Sequence, residues 1–149
     1  SPQKRDYLYS LITDRCSYAI AEASTEEIDT LNIHHATLLA MKRAHESLCV
    51  KVDMANAIAL VDGKFIPKIS SKSQAVVKGD SLSLSIAAAS ILAKVTRDRY
   101  MAQLHENFPH YGWATNAGYA TAEHLEGIAK HGITPHHRKS FAPCKDKAA

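Results

Sequence analysis

Apolar positions at the start of the chain recur at helical spacing. Leu8, Leu11, Ile12 and Cys16 share one face of a segment that Ser1 caps and Pro2 begins, so a helix is expected there. Over residues 17–23 the pattern turns to alternation, with Tyr18 and Ile20 set among small residues, which predicts a short strand. Ser24-Thr25-Glu26-Glu27 has the form of a capping box and opens a brief helix through Leu31. A longer helix is expected over 33–49, where Ala36, Ala40, Met41, Ala44 and Leu48 keep helical register. Residues 57–61 form an unbroken apolar run closed by Asp62-Gly63, the pattern of a strand buried on both faces. Residues 65–74 read as turn, and Ala75-Val76-Val77 as a second short buried strand closed by Gly79-Asp80. The strongest helix signal covers 82–107 and stops at Phe108-Pro109; its first half, Ile86-Ala87-Ala88-Ala89-Ser90, is nearly all small, as close packing demands. Residues 110–120 read as a loop, and Thr121 caps a last helix ending at His131-Gly132. Strands mixed with helices give an α/β class.

Length and composition narrow this picture. The 149 residues suit one domain over 1–149, with a basic tail over about 134–149. With 46% hydrophobic and 22% charged residues, a disordered or fibrous chain is excluded. The best apolar stretch, 86–95, is too short for a membrane span and contains Lys94. The first twenty residues lack the apolar core of a signal peptide. Cys16, Cys49 and Cys144 are odd in number and irregular in spacing, which suits neither a disulfide framework nor a zinc site; a cytoplasmic location is expected.

The net charge of +3 lies wholly in the second half, because residues 1–75 carry nine basic and nine acidic groups while 76–149 carry nine and six. Six of the nine histidines fall between His105 and His137. The segment His136-His137-Arg138-Lys139, with Lys145 and Lys147, reads either as a surface for a phosphate-rich partner or as a solvated, partly mobile terminus.

Two aspartates stand where chemistry gathers in α/β sheets. Asp62 and Asp80 each follow a buried strand, and ligands collect at the carboxyl ends of such strands. Converging carboxylates suit hard cations such as Mg²⁺, and a pair of such ions can clamp the attacking and leaving oxygens of a phosphodiester. The competing reading makes Asp62 a turn residue and Asp80 a helix cap. Tyr119, in Asn116-Ala117-Gly118-Tyr119, is placed to stack on a sugar or base, or to be an ordinary half-buried loop tyrosine. The histidines lack metal-ligand spacing, and Ser90 and Ser140 lack acid–base partners.

Several runs together resemble bacterial ribonuclease HII. They are Ser24-Thr25-Glu26-Glu27-Ile28-Asp29-Thr30-Leu31-Asn32-Ile33, Ala36-Thr37-Leu38-Leu39-Ala40-Met41, Leu60-Val61-Asp62-Gly63 and Val77-Lys78-Gly79-Asp80. The most specific is Ala87-Ala88-Ala89-Ser90-Ile91-Leu92-Ala93-Lys94-Val95-Thr96-Arg97-Asp98-Arg99, and Gly118-Tyr119 with His137-Arg138-Lys139-Ser140-Phe141-Ala142-Pro143 carries the likeness to the tail. The resemblance implies a ribonuclease H-like fold, a mixed sheet flanked by helices. It implies Mg²⁺- or Mn²⁺-dependent cleavage of RNA strands in RNA–DNA hybrids and of single ribonucleotides in duplex DNA, leaving 5′-phosphate and 3′-hydroxyl ends, as in ribonucleotide excision repair. On this resemblance Asp62 and Asp80 are catalytic metal ligands, Tyr119 reads the 2′-hydroxyl, and Lys78, Arg138 and Lys139 contact phosphate. The family's pattern opens with a strand bearing an Asp-Glu pair, a Gly-Arg-Gly loop and a Ser-Lys-Lys-Leu segment, none of which occurs in these residues. The chain, opening with Ser1-Pro2, is therefore expected to be about 50 residues short of a whole family domain and inactive alone. It is also expected to self-associate through an exposed strand edge, where the whole protein would be monomeric. Ala117 stands where the family usually carries lysine. The alternative is a non-catalytic module that binds nucleic-acid duplexes, with both aspartates merely capping.

Overall fold

The computed structural model describes residues 1–147, which form two compact units, each taken by itself below. The first comprises 1–23 and 33–95; the second comprises 24–32 and 96–149, of which 148 and 149, the end of the expected basic tail, lie outside the described residues.

In the first unit, α1 spans Pro2–Arg15, with Ser1 as its cap accepting from the Lys4 amide at 3.3 Å. The expected strand over 17–23 does not form. Its carbonyls are bonded by side chains instead of a neighbouring strand: Lys51 Nζ donates to the Tyr18 carbonyl at 2.9 Å and Arg43 Nη1 to that of Glu22 at 3.0 Å. Alternation gives a strand only where a partner completes the ladder. Both donors come from α3, Ile33–Lys51, which runs slightly past the expected end.

Strands β1, Ile58–Asp62, and β2, Lys72–Val76, pair in parallel, with Ile58 opposite Lys72 and Asp62 opposite Val76. The apolar run is thus a strand, as expected, but β2 begins three residues early, inside a serine- and lysine-rich stretch that reads as turn. Its ladder bonds to β1 outweigh that composition. Alternate β1 residues differ in fate: Val61 is buried, whereas Ile58 is 61% exposed. Beyond β2, Lys78 adopts a left-handed conformation and Gly79–Leu82 forms the short helix α4. After Ser83, α5 spans Leu84–Asn107, so the expected single helix from 82 is two. Ile86, Leu92 and Val95 are the buried positions of its first half.

The second unit holds α2, Thr25–Leu31, whose capping box is present in full: Ser24 Oγ accepts from the Glu27 amide at 3.1 Å and Glu27 accepts from the Ser24 amide at 2.9 Å. Residues 110–120, expected as loop, contain a 3₁₀ turn at Pro109–Tyr111 and a short helix α6, Trp113–Asn116. Helix α7, Ala122–His131, begins at Thr121 and ends at Gly132, as the pattern requires. Gly127 permits its closest approach: a Cβ there would collide with the His110 carbonyl. Met101, Leu104, Tyr111, Trp113, Ile128 and Cys144 make the core, and the described part of the tail buries His137 and Cys144. All three cysteines are free thiols, and no described helix is long and apolar enough to cross a membrane.

Candidate active site

Asp62 is the last residue of β1, where the ladder closes with the Gly63 amide donating to the Val76 carbonyl at 3.0 Å. Its Oδ1 accepts from the Gly79 amide at 2.8 Å. Glycine leaves room for that approach, since a Cβ at position 79 would stand 2.5 Å from Ile86 Cδ1, displacing it, and 3.3 Å from both Asp62 Oδ1 and Val76 Cβ. Asp80 follows directly, exposed in the first turn of α4. Thus one hydrogen bond brings Asp62 to the turn that carries Asp80. Asp80 does not close a strand, as the sequence suggested; β2 stops at Val76 because the left-handed Lys78 (φ 57°, ψ 39°) turns the chain out of the ladder. Lys78 itself is exposed at this turn.

The donor set is hard carboxylate oxygen, which suits Mg²⁺ or Mn²⁺ in kind. In number it is two: among the described residues no group of three or more histidine, cysteine, aspartate or glutamate side chains converges as a metal would require.

The other expected site residues belong to the second unit. Tyr119 is 74% exposed, and its backbone is fixed from several sides. Asn116, itself buried, is the hub: its Nδ2 donates to the Tyr111 carbonyl at 2.7 Å and to Thr121 Oγ1 at 3.2 Å, its Oδ1 accepts from the Gly118 amide at 2.9 Å, and its carbonyl from the Tyr119 amide at 2.9 Å. Ala117 takes a left-handed conformation (φ 49°) to close α6. An exposed phenol therefore stands on a loop held by several hydrogen bonds.

Arg138 lies half-buried with its guanidinium carbon 3.9 Å from the Phe141 ring centroid; burial and, next, neighbouring Arg97 lower its pKa. Lys139 and Ser140 are pinned to α2: their amides donate to Asp29 Oδ2 and Oδ1, each at 2.9 Å, and Ser140 Oγ donates to Oδ1 at 2.5 Å. Burial pushes the Asp29 carboxyl up, but these bonds and the Lys139 charge outweigh it and hold it below the usual range. Neither this clamp nor the buried pair His124 and His137 leaves a mark in the residue pattern.

The profile of the ribonuclease HII family matches residues 1–144. The chain belongs to the ribonuclease HII family. It is 53% identical over 146 residues to a ribonuclease HII of Burkholderia cenocepacia (strain HI2424), covering 97% of this chain and 66% of that protein. It is 52% identical to the ribonuclease HII of Magnetococcus marinus, covering 97% and 68%, and 52% identical to that of Paraburkholderia xenovorans, covering 97% and 57%. The chain thus spans about two thirds or less of the length of these ribonuclease HII relatives.

Proposed function

We propose that this chain serves a cytoplasmic, metal-dependent endoribonuclease that cuts the RNA strand of RNA–DNA hybrids and single ribonucleotides within duplex DNA. The observation that supports this reading is the family match over 1–144, together with the Gly79–Asp62 bond that ties Asp62 to the turn preceding Asp80. In it, Asp62 and Asp80 hold Mg²⁺ or Mn²⁺. Held there, a pair of such ions would supply charge stabilisation to a phosphodiester hydrolysis that leaves 5′-phosphate and 3′-hydroxyl ends. Gly79 donates to one Asp62 oxygen and so orients the carboxylate. Tyr119 presents its phenol to the 2′-hydroxyl, the atom that separates RNA from DNA. Lys78, Arg138 and Lys139 meet phosphates. Because two carboxylates are fewer than a two-metal clamp needs, residues 1–149 expressed alone do not turn over substrate.

The test uses the natural gene product and a DNA duplex bearing one ribonucleotide. Cleavage at that ribonucleotide with Mg²⁺ or Mn²⁺, abolished by EDTA, is expected. Salt-sensitive binding without cleavage, indifferent to divalent metal, would instead establish the duplex-binding module.

A further inference from the structure

The buried histidines form one hydrogen-bonded chain that ends on the backbone of Tyr119. Trp113 Nε1 donates to His124 Nε2 at 3.3 Å. An indole N–H only donates, so His124 Nε2 bears its lone pair and the neutral ring carries its proton on Nδ1. That Nδ1 lies 2.9 Å from the Tyr119 carbonyl, which accepts. His137 stands on the other side: its Nδ1 accepts from the Thr134 amide at 2.9 Å, which leaves its proton on Nε2, 3.2 Å from His124 Nε2. His124 Nε2 thus shares one lone pair between two donors, and both contacts are correspondingly long. The rings and the indole are buried, and every ring nitrogen has a partner with both imidazoles neutral.

We infer that His124, locked into its Nδ1–H tautomer by Trp113 and His137, is a positioning residue that holds the Tyr119 loop and so aims the phenol at the sugar it reads. The inference rests on the proposed role of Tyr119. Among the described residues, the Tyr119 carbonyl is the loop oxygen that meets the His124 ring, while Thr121 Oγ1 accepts from the His124 backbone amide at 3.3 Å. The amide of Thr121 donates to the same oxygen at 2.8 Å, closing the turn around it. The exposed phenol is therefore tied through its own backbone to Trp113, which is only 2% exposed. His137 lies 13 positions from His124, so the pair that sets the tautomer is not visible in the sequence.

The natural gene product is tested in two ways. Long-range ¹⁵N–¹H correlation spectra of the unaltered protein at neutral pH read the tautomers directly: Nδ1–H on His124 and Nε2–H on His137 are expected, and Nε2–H on His124 overturns the inference whatever Tyr119 does. Two variants then separate position from bulk. His124→Asn keeps an amide donor near the place of Nδ1, whereas His124→Gln moves it toward Nε2. His124→Gln should speed amide exchange over 117–121 about tenfold, the effect of losing one loop hydrogen bond, and raise the KM for the one-ribonucleotide duplex with kcat within about twofold. His124→Asn should restore both toward wild type. Equal exchange rates and equal KM in the two variants would overturn the inference. Tyr119→Ala with an unchanged KM, alongside the expected tautomers and exchange rates, would overturn the role of Tyr119 and leave the lock standing.

Discussion

At the scale of single residues, the turn that leads into Asp80 and meets Asp62 is held by a compromise. Lys78 stands in left-handed backbone, a conformation that costs a non-glycine residue roughly 1–2 kcal/mol. That cost places Gly79 where its amide reaches Asp62. Lys78→Gly should therefore stabilise the protein toward urea by about 1 kcal/mol, while weakening duplex binding and lowering its salt dependence by about one phosphate contact. A destabilised variant would show that the turn does not carry this strain. Asp62 was legible because an aspartate ending an apolar run is unusual. The amide that orients it was not, since it lies 17 positions away and is placed by a turn whose geometry leaves no mark in hydropathy.

Among the elements, several with local capping signals match expectation, whereas the start of β2 and the segment 17–23 do not. The capping box at Ser24 and the Thr121 and Gly132 ends of α7 are decided within a turn of chain, so residue type reports them. The start of β2 at Lys72 and the absence of a strand over 17–23 are decided by which backbone lies alongside, which alternation cannot tell. Among the described residues, β1 and β2 are each other's sole strand partner, and Ile58 and Leu60 stay exposed on β1. Parallel sheets are ordinarily covered on both faces, and open edges recruit further strands. Residues 1–149 expressed alone should therefore show a concentration-dependent sedimentation coefficient, and Ile58→Lys should restore a single slow species. A monomer at all concentrations would contradict this. The tail is attached by a different device. Asp29→Ala removes three charge-assisted bonds to Lys139 and Ser140 and should cost about 1–3 kcal/mol, with faster exchange of those two amides. Unaltered exchange there would show that the tail is held by Cys144 and His137 alone.

For the molecule as a whole, acid should act in two separable windows. Burial first, and the neighbouring His124 second, push His137 down to about 4 from an ordinary value near 6.5. The unfolded chain then binds the proton more readily, so stability is fully present above about 6.5, falls as pH drops toward 4, and levels off below. Asp29 is held below its usual value, so its contribution is present above the unfolded value near 3.8 and disappears as pH falls further. Urea midpoints followed by fluorescence of Trp113, the sole tryptophan, should decline from pH 6.5 to 4 in the wild type. They should decline less in His137→Gln, which cannot titrate. Parallel curves would contradict a buried neutral His137. The candidates Asp62, Asp80 and Tyr119 are visible in the sequence as an aspartate closing an apolar run, an aspartate after glycine and a tyrosine after glycine. The buried polar chain beneath Tyr119 is not, because histidines 13 positions apart become partners only when α7 and the tail pack together.

The most direct test of the account compares cleavage of a one-ribonucleotide duplex and an all-DNA duplex by the natural gene product and its Asp62→Asn and Asp80→Asn forms in Mg²⁺. The wild type should cut only the first duplex, and each variant should lose at least about 100-fold in rate, as removal of a metal-holding carboxylate demands. Wild-type rates in either variant, or cutting of the all-DNA duplex, would contradict it.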